Sequence, residues 1–230
     1  MIGLLAVVVF LYAFATVKNN VRTTSKPNIS FLGKNNLFIS HETVSKLLIQ
    51  NQEGVKNKAK ETLDLNRLEI ALNSNPMIKS AEVYVAVNGM LSAEVEQKTP
   101  IARVSTNASY YIDDAGNYMP LSSNYTARVP LVTGYVEKNN LQRVFKVAQM
   151  VERDDFLKHH VVEINQSANG ALALRLRKCD FIVNLGGLEF LDKKINNLKA
   201  FYKKSLKEKT LNIYSKVNLQ FDNQVVCTKT

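Results

Sequence analysis

The sequence predicts an α+β protein in which an apolar N-terminal segment precedes a small module with the order β-α-α-β-β and a larger, mixed β domain. Three observations support this prediction. Apolar residues recur at helical spacing in some segments, they alternate with polar residues in others, and Asn-Gly pairs separate neighbouring alternating segments. We expect the larger domain to contain two helices and to end in a pair of strands.

Residues 1–17 are expected to form a transmembrane helix that anchors the chain in a membrane. Ile2–Val17 is apolar except for Thr16, and a helix of this length measures about 24 Å, slightly less than the ~30 Å hydrocarbon core of a bilayer. Residues 18–28 are polar and basic, which predicts a linker. A cleaved signal peptide, with Ala13-Phe14-Ala15 as its cleavage site, is the alternative for the same segment.

Residues 29–98 contain the pattern of the small module. Ile29–Leu32 and Leu37–Ile39 predict strand, and Ser40 is a favourable N-cap for the helix that follows. Asn75-Pro76 ends a second helix, because proline disfavours helical geometry at the residue before it. The apolar positions of the two helices are Val44, Leu47 and Leu48, followed by Leu65, Leu68 and Leu72.

A β-hairpin completes the module. Apolar residues alternate with others on both sides of Asn88-Gly89, at Val83, Val85 and Val87 before it and at Leu91, Ala93 and Val95 after it. Asn-Gly predicts a two-residue type I′ turn, since that turn needs a positive φ at both central residues. We expect Val85 to be buried because it lies on the apolar face of this hairpin.

Residues 99–230 are predicted to form the second domain, with helices over Asn140–Glu152 and Leu188–Leu206. The predicted strands are Ala102–Ser105, Tyr110–Ile112, Tyr118–Pro120, Leu131–Thr133, Val161–Asn165, Leu172–Arg177, Phe181–Leu185, Val217–Phe221 and Val225–Thr228. Asn169-Gly170 predicts a second hairpin turn, and the alternation after it predicts that Leu174 is buried.

Few residues suggest chemistry. His159-His160 has no second pair to complete a metal site, and the acidic pairs Asp113-Asp114 and Asp154-Asp155 lie beside predicted turns, where aspartate stabilises the local backbone. The sequence also lacks the glycine-rich phosphate-binding patterns and the nucleophile patterns of hydrolases. We therefore expect neither an enzyme nor a site for a metal or another cofactor.

The net charge of +10 allows partners that are acidic, but the charge is spread along the chain. Its densest part, Lys193–Lys209, is a lysine-rich helix and predicts a solvated face. Because aromatic residues are not interleaved with arginines, we expect no nucleic-acid partner. Cys179 and Cys227 are either a disulfide pair or two separate thiols.

The last strand is the feature with functional content. A terminal strand is often the edge of a sheet, where unpaired backbone groups accept a strand from a partner by β-augmentation. The segment Val225-Val226-Cys227 is apolar and uncharged, which is unusual for an edge. A strand buried on both faces is equally compatible with this pattern.

Five segments carry a resemblance to a known family. The module contains the pattern NPxIxxAxVxxxxxGxLxxxVxxxxPIARV, which is similar to the POTRA module of the bacterial division family FtsQ/DivIB. The segments YYIDDAGNYMPLS and VPLVTG resemble the start and end of the first part of that family's β domain. The segments FIVNLGGLEFLDKKINNLKAFYKK and VNLQFDNQVVCTK resemble its long helix and its terminal strand pair.

This resemblance implies a non-enzymatic divisome scaffold at the division septum. It implies a single-pass type II protein of the inner membrane, mostly periplasmic, that recruits FtsB-like and FtsL-like proteins for septal cell-wall synthesis. The implied partner site is the terminal strand pair, at Asn218, Leu219, Gln220, Phe221, Asn223, Gln224, Val225, Val226 and Cys227. The alternatives are a POTRA-containing component of outer-membrane assembly or secretion, and a secreted enzyme with a POTRA-like appendage.

Overall fold

The computed structural model describes residues 7, 10, 12, 27–33, 36–51, 64–87, 89–221 and 224–230. The chain divides into two compact units: Met1–Lys98 with Ser122–Tyr125, and Thr99–Leu121 with Thr126–Thr230. Most of the predicted membrane anchor and linker, residues 1–28, lies outside the described residues. Within the described part of the chain, no helix is long and apolar enough to cross a membrane.

The first unit confirms the predicted order β-α-α-β-β. Its elements are β1 (Asn28–Leu32), α1 (His41–Asn51), α2 (Leu65–Asn73), β2 (Ile78–Val85) and β3 (Leu91–Gln97). The sheet order is β1-β3-β2, with β3 parallel to β1 and antiparallel to β2. The apolar faces of the helices meet the sheet in one core, which contains Val44, Leu48, Leu68, Leu72, Ala81, Val83, Leu91, Ala93 and Val95.

The strand predicted at Leu37–Ile39 is wrong. The backbone N–H groups of Phe38 and Ile39 both donate to Oε1 of Gln97, at 2.9 and 3.2 Å, and Nε2 of Gln97 donates to the carbonyl of Ile39 at 2.9 Å. Because one buried side chain takes the hydrogen bonds that a neighbouring strand would take, the segment needs no strand partner. The N-cap prediction is confirmed, since Ser40 Oγ accepts the N–H of Thr43 at 3.2 Å.

The two-residue turn predicted at Asn88-Gly89 is also wrong, and the second hairpin has a loop of the same longer form. In the first hairpin the N–H of Gly89 donates to Ala86, so the glycine is the fourth residue of its turn and not the third. In the second hairpin Gly170 bonds to Ser167 in the same way, and both glycines have φ above +75°. These are three-residue loops in which glycine supplies the left-handed position of a bulge. Val85, beside the first loop, is only half-buried, whereas Leu174 is buried as predicted.

The second unit is one nine-stranded sheet with the order β12-β11-β10-β9-β8-β7-β4-β5-β6. Neighbouring strands are parallel at β4–β7, β7–β8 and β10–β11, and antiparallel elsewhere. Its strands are β4 (Pro100–Ser105), β5 (Ser109–Asp113), β6 (Tyr118–Met119), β7 (Leu131–Gly134), β8 (Val161–Gln166), β9 (Leu172–Leu176), β10 (Ile182–Gly186), β11 (Tyr214–Asn218) and β12 (Val226–Lys229).

The helices of this unit pack on one face of the sheet. They are α3 (Gln142–Arg153), α4 (Asp155–His160) and α5 (Leu191–Lys207), so the described residues of this unit form three α-helices where two helices were predicted. The short helix α4 was missed because six residues are too few to display a helical period. Alternate residues of the strands enter the core with the helices, whereas Arg175 on β9 and Lys216 on β11 are exposed on the opposite face.

Candidate functional site

The terminal strand pair forms one end of the nine-stranded sheet, and β12 is its edge. β11 and β12 are antiparallel, with Val217 opposite Cys227 and Asn218 opposite Val226. The N–H of Thr230 donates to the carbonyl of Ile213 at 2.9 Å. The backbone N–H and C=O groups of successive residues in a strand point to alternate sides. Those of Val226 therefore point towards β11, and those of Cys227 point away from the sheet. No described strand lies beyond them.

The predicted partner-binding residues divide into an exposed group and a core group. Phe221 is 46% exposed and Val226 is 40% exposed, and Gln220 and Gln224 are also at the surface. Val225 and Cys227 are half-buried and pack against the core from the other face of β12. The exposed apolar residues Phe221 and Val226 thus lie in β12 or in the segment that leads to it, whereas the side chain of Gln220 lies beside Gly186 of β10. Asn223 lies outside the described residues.

The strand predicted at Val217–Phe221 begins and ends earlier, at Tyr214 and Asn218. Leu219 is 1% exposed, so its side chain belongs to the core and not to the outer surface. Its N–H donates to the carbonyl of Asn184 on β10, at 2.9 Å. The next residue, Gln220, donates its N–H to Oδ1 of Asn218 at 3.0 Å, which turns the chain out of the sheet.

Sequence reasoning missed the neighbouring surface on β10. Ile182 and Asn184 lie opposite Lys216 and Asn218 of β11, on the face of the sheet away from the helices, and Ile182 is 40% exposed. A groove of about 640 Å³ passes Ile182 and Asn184 and ends at Gln220. The sequence did contain a signal for this surface. Ile182 is a large apolar residue at an outward-facing position of β10, whose alternate residues Val183 and Leu185 are buried.

The two cysteines are separate thiols, which settles the alternative that the sequence left open. Cys179 and Cys227 are both half-buried. Burial raises the pKa of each thiol above its ordinary value, and for Cys179 the nearby Asp180 carboxylate adds to the effect. Because the thiolate is the reactive form, both side chains are chemically quiet near neutral pH.

The other candidate side chains have local structural partners. Nδ1 of His159 and of His160 each lies within 2.7 Å of a carbonyl one turn earlier in α4. Oδ1 of Asp113 accepts the N–H groups of Ala115 and Asn117 in a hairpin loop. Oδ1 of Asp154 accepts the N–H of Leu157 and so caps α4. Among the described residues no group of three metal-ligating side chains occurs.

The lysine-rich helix is not a uniformly solvated face. Lys194 is buried, and its Nζ donates to the carbonyls of Leu185 and Gly187, at 2.9 Å each. These carbonyls follow β10 as the chain leaves the sheet. Lys194 therefore connects the start of α5 to the end of β10. The sequence did not predict this role, because Lys194 is one of several lysines in the same helix.

Comparisons with known proteins agree with this architecture. A family model described as FtsQ/DivIB, C-terminal related, matches residues 99–228, which is more than half of the chain. A model described as a POTRA-like domain matches residues 33–96. The cell division protein FtsQ of Geotalea daltonii is 22% identical over 179 residues, a match that covers 73% of this chain and 64% of that relative. The chain thus spans less than two thirds of the relative's length. On the evidence of the larger match, the chain belongs to the FtsQ/DivIB family.

Proposed function

We propose that this chain is a non-enzymatic scaffold of the division machinery, anchored in the inner membrane as a single-pass type II protein. Its larger part acts in the periplasm at the division septum, where it recruits FtsB-like and FtsL-like proteins for septal cell-wall synthesis. The role in division is supported by membership of the family and by the relative named as a cell division protein. The observation that carries the partner site is the outward backbone of β12.

The proposed mode of binding is β-augmentation. A strand of the FtsB-like protein pairs with β12 and takes the N–H and C=O of Cys227, which supplies affinity without regard to sequence. Side chains beside the edge then supply specificity. Phe221 and Val226 are the apolar candidates, because large exposed apolar side chains near an interface centre contribute most of the binding free energy.

The surface beside the edge extends this proposal to β10. Ile182, Asn184 and the groove that ends at Gln220 lie on the same face of the sheet as the side chain of Val226. We propose that residues of the partner next to its added strand lie over this surface. The FtsL-like protein is recruited through the FtsB-like protein and needs no separate contact with this chain.

Photo-crosslinking of the full chain in dividing cells tests the proposal. A photoreactive residue at position 221 or 224 is expected to capture a small coiled-coil protein, and the same residue at Leu131, an exposed position on β7, five strands from β12, is not. Phe221→Ala should weaken the partner's binding by about 2 kcal/mol or more, whereas Leu131→Ala should leave it unchanged.

A pair of substitutions at Cys227 isolates the backbone contact. Cys227→Pro removes the outward N–H, and edge strands tolerate proline where the N–H faces away from the sheet. Cys227→Ala removes the thiol and keeps the N–H. Capture by the alanine variant and not by the proline variant is the expected result. Equal capture by both variants, or capture from position 131 as strong as from position 221, places the site elsewhere.

A further inference from the structure

A second cleft lies in the β domain, at the carboxyl ends of the parallel strands β4, β7 and β8. It has a volume of about 990 Å³, large enough for a small organic ligand. Three loops and the start of α3 surround it, and the residues used below are Tyr110, Tyr118, Lys138, Arg143, Gln166 and Gly170. Along the sheet, β8 is four strands from β12, or roughly 19 Å. The cleft is therefore separate from the backbone edge of β12, and it adjoins the groove beside β10 at Ala168 and Asn169.

Unpartnered polar atoms converge on this cleft. The hydroxyl of Tyr110, Oε1 of Gln166 and Nε of Arg143 are buried atoms that have no hydrogen-bond partner among the described residues. Tyr110 is 4% exposed and Gln166 is 8% exposed. Buried polar atoms are normally paired, so a ligand that supplies the missing partners is favoured here.

The orientation of the Gln166 amide is fixed by its other end. Nε2 of Gln166 donates to the carbonyl of Tyr135 at 2.6 Å, which identifies that atom as the nitrogen. Oε1 is consequently an acceptor that needs an N–H or O–H donor. Tyr110 is a donor at neutral pH, because burial, and then the nearby Tyr118, raise the pKa of its hydroxyl. Nε of Arg143 is a donor at any physiological pH.

The cleft also favours negative charge. Arg143 lies in the first turn of α3, whose N-cap residue, Leu141, has no side-chain acceptor for the free N–H groups of the helix. Nζ of Lys138 lies 3.6 Å from the ring centroid of Tyr118. Among the described residues that line the cleft, Glu137 is the acidic one, and it is exposed. A Cβ at position 170 would lie 3.3 Å from Nε of Arg143. The absence of a side chain at Gly170 therefore leaves room for the guanidinium group.

We infer that this cleft binds a carboxylate that carries an adjacent amide N–H, as found at the C terminus of a peptide. The carboxylate oxygens accept from Arg143 and Tyr110 at the N-terminal end of α3, and the amide N–H donates to Oε1 of Gln166. Tyr118 and Tyr135 provide apolar walls for the residue side chains. A simple inorganic anion leaves both Oε1 and most of the volume unfilled, which is why a peptidic ligand fits better.

Isothermal titration calorimetry of the full chain in detergent tests this inference. The probes are the tripeptide Gly-Ala-Ala with a free carboxylate, the same tripeptide with a C-terminal amide, N-acetylglycine and acetate. The free tripeptide is expected to bind at least about tenfold more tightly than its amide, since a hydrogen bond to a charged group is lost. If N-acetylglycine binds as tightly as the tripeptide, the ligand is a small acylated amino acid. If N-acetylglycine binds more weakly than the tripeptide, the ligand is the C terminus of a peptide.

Single-atom and single-charge variants locate the site. Tyr110→Phe and Arg143→Met should each weaken the tripeptide about tenfold or more. Lys146→Met, an exposed residue of the same helix that does not line the cleft, removes the same charge and should change the affinity less than twofold. Equal affinities for peptide and peptide amide, binding of acetate as tight as that of the tripeptide, or no binding at millimolar concentration each overturn the inference. Crosslinking at β12 should be the same in all three variants, so the two sites are tested separately.

Discussion

The two ends of the nine-stranded sheet are built differently. One end is β6, a strand of two residues, and beside it Tyr111 on β5 is buried and accepts the N–H of Ala127 on its hydroxyl at 3.0 Å. The other end is β12, a strand of four residues whose Val226 is exposed. Sheet edges are commonly protected by shortness and by covering segments. The first end has both protections, whereas no described segment covers the second. This difference supports the proposal that the partner binds at the second end.

The exposed end is supported from its inner side. Phe201 of α5 packs edge-on against Phe181 and against Tyr214 of β11, at ring-centroid distances of 5.8 and 5.4 Å. Lys194 ties the same helix to the end of β10. The end of the sheet at β12, called the open end below, is therefore held in place by α5 on one face, and its edge strand has no described neighbour. Strand addition by a partner requires both features.

The largest expected effect comes from two deletions at the open end. Removal of residues 217–230 should unfold the β domain, because it takes Val217 and Leu219 out of the core. Removal of residues 226–230 should leave the domain folded and abolish capture of the partner. Circular dichroism of both deletion variants tests folding, and crosslinking from position 221, which the shorter deletion retains, tests capture of the partner. A folded domain after the longer deletion would mean that β11 is as dispensable as β12.

A smaller effect is expected from matched truncations at the two ends. Tyr111→Ala removes a fully buried aromatic ring and should cost about 3–5 kcal/mol of unfolding free energy. Val226→Ala, at the exposed end, should cost less than about 1 kcal/mol. Urea denaturation of the full chain measures both, with the transition of the β domain followed separately. Similar losses from the two substitutions would show that the ends do not differ in burial.

The sequence predicted the parts of this fold that depend on alternation. Leu174 was predicted to be buried because side chains in a strand alternate between faces, and it is buried together with Leu172 and Leu176 on the same face of β9. The order of elements in the first unit follows from the same local patterns. These predictions succeed because the controlling interactions lie within a few residues of one another.

The predictions failed where a distant partner decides the outcome. Gln97 takes the hydrogen bonds of Phe38 and Ile39 from almost sixty residues away in the chain. Leu219 is buried in the core, and its N–H donates to the carbonyl of Asn184 on a strand that is distant in sequence. The cleft described above combines Tyr110, Arg143 and Gln166 from three separate segments. None of these pairings has a local signature. The sequence therefore predicts a terminal pair of strands, but it does not predict which side chains of that pair are exposed.

The smallest expected effect concerns the inner support of the open end. Asp154, the N-cap of α4, forms an ion pair with Lys199 of α5. Burial alone would raise the pKa of Asp154, but the hydrogen bonds from Lys199 and from the N–H of Leu157 outweigh it, and the pKa lies below its ordinary value. The ionised form therefore stabilises the folded protein above the ordinary pKa of about 3.9, and this contribution is lost as the pH falls through the lowered folded-state pKa.

Two substitutions separate this charge from the helix cap. Asp154→Asn keeps an acceptor for Leu157 and removes the charge, so it should cost about 0.5 kcal/mol near neutral pH, a typical value for a partly exposed ion pair. That cost should shrink as the pH falls from neutral through the lowered pKa of Asp154, because the wild-type carboxylate then becomes protonated as well. Asp154→Ala should cost about 1 kcal/mol more at every pH, because the cap is also lost. Urea denaturation across this pH range measures all three proteins. A cost of Asp154→Asn that is independent of pH would show that the charge of Asp154 does not hold α5 behind the open end of the sheet.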